Sequence, residues 1–554
     1  MKRCCASVGD WRCAGWMPEP NASIASATAP RIGIIGSGIA GLAAAVRLRL
    51  EGAHVEVFEA ADTPGGKLGE LVLGEYRFGI GPSLLTMPQY IDELFTLAGE
   101  TPADHFRYQR LETVCRYAWE DGIWLDASGD PETFAHEVER VLGVPAQRVL
   151  NTLAHGAEKY RLTGHTFLEK SLHSPKTWLT PEVGHALTRL HRLDLTRTLH
   201  QVHERDLGEA HLVQLFDRFA TYNGSNPYRA PGLLSMIAHF EHGAGAFVPE
   251  GGIPAIGRAL YDLAQRVGVI FHFNTPVAEI LTRPGRQRPR AVGLRLADDR
   301  QVLLDRVVSN MDVFFTHERL LPNAPAPTRV LAREKSTSAL IFYWGVDKPF
   351  PELDVHNILF SVDYPAEFAA LEAGTLCDDP TVYISISSRY DQSAAPAHGE
   401  NWFVMINAPC AAPHQDWEAL IQRTRERVID KIERMLSRRR GQAVALRDMI
   451  AEEAVFDPTT IEASTLSHQG ALYGTSSNDR MAAFMRHPNH SRHVDGLYFC
   501  GGSVHPGGGL PLCLLSAKIM TRVMAQREPW PHNVPSSHDI SFSNNAPSSH
   551  KDDA

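Results

Sequence analysis

Gly36-Ser37-Gly38-Ile39-Ala40-Gly41 has the spacing G-x-G-x-x-G, a pattern that acts by leaving side chains out. Gly36 serves a tight turn, Gly38 lets a pyrophosphate approach the backbone, and Gly41 lets a helix pack closely. A helix opening there offers free N–H groups and the positive end of its dipole to phosphate. Glu59 stands 18 residues after Gly41, near the ~20 expected of the acid that binds ribose hydroxyls. Such an acid favours an unphosphorylated ribose, hence FAD or NAD over NADP. Gly65-Gly66-Lys67 permits another close backbone approach, with the lysine ammonium near phosphate or flavin oxygens. Far along the chain, Gly501–Gly509 forms a second backbone-exposing loop before an apolar run, with Pro511 where a missing N–H costs nothing. In a flavoprotein a second glycine-fed helix start can hold negative charge on the reduced isoalloxazine, a task that an NAD-only dehydrogenase does not have.

The elements that must carry these turns are legible in the hydrophobic pattern. Ile32–Ile35 and Val55–Phe58 read as strands flanking a helix at Ala43–Leu50. A helix at Ile256–Val267 leads to a strand at Val269–Phe273, and short strands end at Asn310 and Cys500, rejoining the same sheet. The stretch between is expected to be mostly helical, with helices at Tyr90–Leu97 and Pro131–Leu142. A hairpin is expected to turn at Asp121-Gly122. Ser338–Val346, Thr381–Ser388 and Trp402–Ile406 read as strands of a second sheet, with Leu340, Phe342 and Trp344 on one face. Trp417, Leu420, Ile421, Val428, Ile432 and Met435 form a helical stripe. The division expected is an extension at 1–30, a discontinuous nucleotide domain at 31–83 with 243–310 and 490–526, a helical region at 84–242, a sheet domain at 311–489, and a disordered tail at 527–554.

A chain of 554 residues, 44% hydrophobic and 21% charged, can bury a large core in two or more domains. A net charge of −10 without a basic run argues against a nucleic-acid partner. Eight scattered cysteines with no C-x-x-C pair suggest neither a zinc site nor a disulfide framework, and a reducing cytosol is the simplest compartment. No stretch of about 18 apolar residues occurs, so no spanning helix is expected, while surface attachment to a bilayer stays open. His239 and His242 could be half a metal site, but no third ligand is implied.

GSGIAGL, FEA, PGGK, TYNGSNPY, VPEGGIPAIGRAL, VVSNMD and GGSVHPGGGLPLCLLSAK together resemble the bacterial-type phytoene desaturase family, the FAD-dependent carotenoid desaturases with their isomerase and oxygenase relatives. The resemblance spans about 31–526 and is closest to hydroxycarotenoid 3,4-desaturases. It implies an α/β chain in which a Rossmann-like FAD-binding domain joins a second, mixed-sheet and helical substrate or membrane-facing domain, a flavin amine oxidase-like architecture. It places Gly36, Ser37, Gly38, Ala40 and Gly41 at the pyrophosphate and Glu59 at the ribose. Gly65, Gly66 and Lys67 would lie along the ribityl chain, and Val277 would meet the adenine. Gly502 and Ser503 would lie by the phosphate and ribityl region, and Leu512 by the flavin ring. Where the family usually has Asp, this chain has Gly79, and Ser503 stands where related flavin oxidases often carry Asp.

The implied reaction removes two hydrogens from a polyene, one as hydride to flavin N5 and one as a proton, with electrons passed on to oxygen, a quinone or another acceptor. Conjugation stabilises the developing charge, so the protein needs mainly to position, desolvate and accept a proton. His505 is the first candidate for a polar group at the reacting carbon, with Asp121 and Glu241 behind it. A lipid-soluble carotenoid implies a cytoplasmic protein held peripherally at the inner face of the membrane, its apolar entrance in the helical part of 84–240. Alternatives on the same scaffold are a redox-neutral carotenoid isomerase, a carotenoid oxygenase, or a flavin and lipid binder without turnover. A soluble-amine oxidase would want an aromatic pair flanking the flavin, and no such pair is identifiable.

Overall fold

A computed structural model of the chain describes residues 29–529. The expected extension at 1–30 and tail at 527–554 therefore lie almost wholly outside the described residues. The helix Leu510–Arg527 nevertheless runs through Arg527, and Glu528 is anchored by Arg290, Arg306 and Tyr498. The boundary at 527 is corrected accordingly: three partners hold a residue assigned to the tail.

Short apolar runs buried on both faces make a five-stranded parallel sheet. Its order is Ile270–His272, His54–Phe58, Arg31–Ile35, Arg306–Ser309, Leu497–Phe499. Strand order reverses between Arg31–Ile35 and Arg306–Ser309, and ligands of such sheets bind at the carboxyl ends of the strands beside that reversal. The alanine-rich helix Ile39–Leu50 packs on the sheet and against both Pro254–Arg266 and Leu510–Arg527. Its small side chains allow three helices to crowd one core.

A seven-stranded sheet makes the second layer system. Its order is Ile450–Phe456, Ser338–Val346, Glu400–Ala408, Val382–Ile386, His356–Leu359, Thr113–Ala118, Trp124–Ser128. The expected hairpin at Asp121-Gly122 exists, with Gly122 at a φ of +94°. It corrects the reading of 84–242 as a helical region, because its strands complete this second sheet through a parallel pairing of Thr113–Ala118 with His356–Leu359. Leu340, Phe342 and Trp344 do share one face, against the helix Trp417–Arg440. The opposite face is buried as well: Ala339, Ile341 and Tyr343 pack with Tyr76 and Phe78 of the hairpin Glu70–Gly79. Among the described residues no helix is long and apolar enough to cross a membrane.

Candidate flavin site

The two glycine turns meet at one side chain, Asn310, at the end of the strand Arg306–Ser309. A Cβ on Gly38 would lie 2.8 Å from Asn310 Nδ2, one on Gly41 3.0 Å from the same atom, and one on Gly501 3.1 Å from Asn310 Oδ1. Cys500 closes the junction, its thiol 3.6 Å from the Ala40 carbonyl and 3.9 Å from Asn310 Oδ1. Gly36 turns at a φ of +90°, and a Cβ on Gly41 would land on the Gly36 carbonyl oxygen. Gly36 is thus required by its backbone conformation and Gly41 by the carbonyl of Gly36, while Gly38 and Gly501 lie against Asn310.

Neither helix that starts here is capped by a side chain. In the first, Leu42 N–H is answered by the Gly38 carbonyl, so the amides of the opening turn lie ahead of the helix's own hydrogen-bond ladder. In the second, Cys513 N–H reaches Gly509 and Pro511 has no N–H to satisfy. Two adjacent uncapped helix starts form a cradle for a long, doubly anionic group.

The other residues expected to contact the cofactor lie as follows around this cradle. Glu59 accepts from Ser37 N–H and Ser37 Oγ, both at 2.7 Å, and from Ala61 N–H at 3.0 Å. Its carboxylate keeps lone-pair capacity for a ribose hydroxyl. Asn274 and Thr275 bond the backbone of Ala61 and Glu59, and this brings Val277 alongside the same strand end. Gly65 pairs with Gly38 and donates to the Ser37 carbonyl at 3.0 Å, and a Cβ on Gly66 would sit 3.3 Å from Gly38 Cα. Lys67 reaches the Leu472 carbonyl at 3.5 Å; enclosure lowers its ammonium pKa against the pull of Cys513 and Asp312. Its side chain nonetheless keeps solvent-accessible surface. Gly502 packs 3.3 Å from Gly508 as measured at its would-be Cβ, Ser503 Oγ accepts from Val313 N–H at 3.1 Å, and Leu512 lies in the first turn of the last helix. Gly79 has room for a side chain, a Cβ there meeting Pro254 only at 3.6 Å, so nothing steric replaces the family's usual Asp.

His505 is 1% exposed. Its Nε2–H donates to the Lys170 carbonyl at 2.9 Å, tying the last glycine loop to the end of the helix Ala146–Glu169, and its Nδ1 has no partner. Asp121 lies on the hairpin turn, paired with His211. Glu241 is 1% exposed and belongs to a buried polar cluster with Arg218, Tyr117 and Tyr222. His242 stacks on Phe134 at 4.3 Å within a hydrophobic cluster, and no metal-holding group of three ligands exists among the described residues. Asn310 and the Arg218 cluster escaped the sequence reading.

The loop also carries a pH dependence. Burial drives the imidazoles of His317, His487 and His505 down to about 4, about 3 and about 3. Unfolded histidine takes up its proton near pH 6.5, roughly, so below that point the unfolded state binds more protons than the folded one. Stability is therefore full above that value and lost as pH falls toward the folded values, by about 2 kcal/mol per histidine at about pH 5. The urea midpoint should drop steadily on going from neutral to that pH; a flat midpoint would show that these imidazoles are already charged in the fold.

The comparisons with known proteins agree with this geometry. Residues 39–524 match the family described as flavin containing amine oxidoreductase. The chain is 45% identical over 487 residues to a 1-hydroxycarotenoid 3,4-desaturase of a Flavobacterium, covering 88% of this chain and 97% of that one. It is 32% identical over 498 residues to a 4,4'-diapolycopene oxygenase of a Methylomonas, with 88% and 97% covered. It is 29% identical over 512 residues to a zeta-carotene-forming phytoene desaturase of Myxococcus xanthus, with 92% and 96% covered. Among solved structures, a putrescine oxidase variant superposes with a TM-score of 0.58 at 15% identity, covering 90% of this chain and 99% of that one. An oxidoreductase of Methanosarcina mazei gives 0.57 at 16%, covering 89% and 99%, and both likenesses speak to the fold alone. With the cradle, the acid and the second helix start all fitting FAD, the chain belongs to the flavin-containing amine oxidoreductase family, among its carotenoid desaturases, and is an FAD-dependent oxidoreductase.

Proposed function

We propose that the protein desaturates a carotenoid drawn from a lipid bilayer, with a hydroxylated polyene as the first substrate to try. The convergence of both glycine turns on Asn310 carries the reading, because it builds one FAD cradle from the two ends of the chain. The flavin, when bound, supplies the hydride acceptor. The protein's share is to hold the cofactor on the amides of residues 38–41 and on Glu59, to close the last loop over it, and to keep water from the reacting carbons. His505 fixes that loop through the Lys170 carbonyl as a neutral imidazole, its unpaired Nδ1 the one polar atom it retains for a proton. Pigment extracted from cells that make a set of acyclic carotenoids should lose about two hydrogens of mass per step. An unchanged mass would replace the desaturase with an isomerase, and an added oxygen would replace it with an oxygenase.

The path from the bilayer follows an exposed apolar surface. Trp178, Leu179, Leu187, Leu190 and Leu195 are exposed on one short segment, Leu179 at 85%. Met481 and Met485 join them, because Trp178, Phe167 and Phe484 pack together at ring distances of 5.5 to 6.3 Å. Between residues 170 and 197 there are five Lys or Arg against two acids, in a chain of net charge −10. An apolar patch with a basic edge suits the surface of an anionic leaflet. Lys170, at the start of this segment, already holds His505, so the patch adjoins the loop over the flavin. Five free cysteines among the described residues favour the cytoplasmic side. A Leu179→Glu, Leu187→Glu protein should bind anionic liposomes at least ~10-fold more weakly with an unchanged melting temperature, given roughly 1.5–3 kcal/mol per buried leucine. Equal cosedimentation of variant and parent would remove this surface from the proposal.

A further inference from the structure

A buried cation without a counter-charge stands against the last glycine loop. Arg486 is 4% exposed, and its Nη2–H donates to Ser477 Oγ at 3.0 Å. Its Nη1 is buried without a partner. Among the described residues no carboxylate pairs with it; burial pulls the guanidinium down to about 10, so it stays protonated at neutral pH. Arg218 and Lys159 are buried as well, and each is paired, with Glu241 and with Asp194. A buried charge that the protein leaves unpaired is costly unless an anion joins it.

Two chain segments fix this guanidinium beside the loop. Residues 486–488 run along 503–505: His487 bridges Val504 in parallel, and His505 N–H donates to the His487 carbonyl at 2.9 Å. His505 is near enough to feel the Arg486 charge, and its imidazole is neutral. Ser477 ends the other segment, whose residues 473 and 474 pack on the loop. A Cβ on Gly474 would lie 2.8 Å from Ser503 Cα, and one on Gly508 2.5 Å from Tyr473 Cα. The guanidinium itself lies on Gly507, where a Cβ would stand 3.0 Å from both Cζ and Nη1. Gly507 is two residues ahead of Gly509, which opens the uncapped helix Leu510–Arg527. The loop's other end, Gly501, meets Asn310, as Gly38 and Gly41 of the first turn do.

We propose that Arg486 is the electrostatic partner of the reduced flavin: its fixed positive charge, beside the start of the last helix, offsets the negative charge that the ring gains on reduction. A hydride brings the ring two electrons and one proton, hence one net negative charge. A permanent cation in a buried site favours that product over the neutral oxidised ring, and it is in place before the charge develops. Glycine at 507 lets the guanidinium close on the backbone, where a side chain would hold it off. This inference rests on the flavin cradle and is independent of which polyene is the substrate.

The test uses flavin-loaded protein without carotenoid. Sulfite adds its sulfur lone pair to flavin N5, which bleaches the flavin and leaves one negative charge on the ring. The parent should form this adduct. Arg486→Met should bind sulfite about 10-fold more weakly, and Arg486→Lys, which keeps the charge without the fork, should recover most of the affinity. The flavin midpoint potential should fall in Arg486→Met by the ~30 mV that a tenfold ratio represents in a two-electron couple, and stay near the parent's in Arg486→Lys. A purely structural clamp would lower melting temperature and flavin content in both variants while leaving the sulfite affinity and potential of the retained flavin unchanged; that result overturns the proposal. Should Arg486→Met hold no flavin, Arg486→Gln takes its place, and sulfite affinity equal to the parent's there overturns the proposal as well. Neither readout involves dehydrogenation, so a failure of the desaturase reading leaves both intact.

Discussion

A Gly38→Val protein is expected to fold and to be colourless. Gly38 has a φ of −62° and a ψ of 169°, a conformation open to any residue, so the substitution brings no backbone strain. Its Cβ would approach Asn310 Nδ2, the movable end of a side chain, and the γ-methyls would fill the space before the opening turn of the helix Ile39–Leu50. A pyrophosphate then has no route to the N–H groups there. Gly41→Val differs, because there the added carbon meets the Gly36 backbone carbonyl and the turn itself must give way. Glu59→Arg should also lose the flavin, by placing a side chain without acceptors where Ser37 and the ribose need one. The ratio of flavin to protein absorbance, beside a melting curve for each variant, checks all three. A fully flavinated Gly38→Val protein would take the first glycine turn out of the account.

Arg218→Ala should be the most destabilising single change outside the cofactor site, by about 3–5 kcal/mol. Burial alone would raise the Glu241 carboxyl, yet Arg218, His242 and Tyr222 hold it below its ordinary value, so it is ionised inside the protein. Removing the guanidinium leaves that charge unpaired, along with the Tyr117 hydroxyl. The cation also lies 4.6 Å from the centre of the Phe219 ring and 5.3 Å from those of Tyr117 and Tyr222, contacts that vanish with it. An Arg218→Met, Glu241→Leu protein should regain most of the loss, because a buried pair replaced by apolar side chains of like volume is often neutral. Urea denaturation of the single and double variants measures this. A single variant within 1 kcal/mol of the parent, roughly, would show that Glu241 is protonated or hydrated in the fold.

The glycine turns were legible because their chemistry is local: a positive φ, a carbonyl too near for a Cβ and a helix start without a cap are demands on one residue each. Glu59 was legible through its distance from the turn along one strand–helix–strand unit. Asn310 was not, since an asparagine at a strand end has no signature of its own. Only the sheet order, which sets Arg306–Ser309 beside Arg31–Ile35, brings it against both turns. Glu241 stood out as a candidate polar group, but its pairing with Arg218 did not, because that buried cluster includes Tyr117, from a hairpin whose place in the second sheet rests on a distant parallel pairing. The alternation in Ser338–Val346 suggested one apolar face, while the structure buries both, one under a helix and the other under the hairpin Glu70–Gly79. His505 was singled out as a polar group for the reacting carbon; the structure shows it buried in the last glycine loop, and its anchor, the Lys170 carbonyl, comes from the end of a helix that no local pattern ties to it.

The central claim is that hydrogen leaves the polyene for the bound flavin. Oxidised, flavin-loaded protein mixed anaerobically with carotenoid liposomes and no acceptor should bleach as new double bond forms, one per flavin, and then stop until oxygen or a quinone is admitted. New product with the flavin colour unchanged, or bleaching with no change in the polyene spectrum, would contradict it.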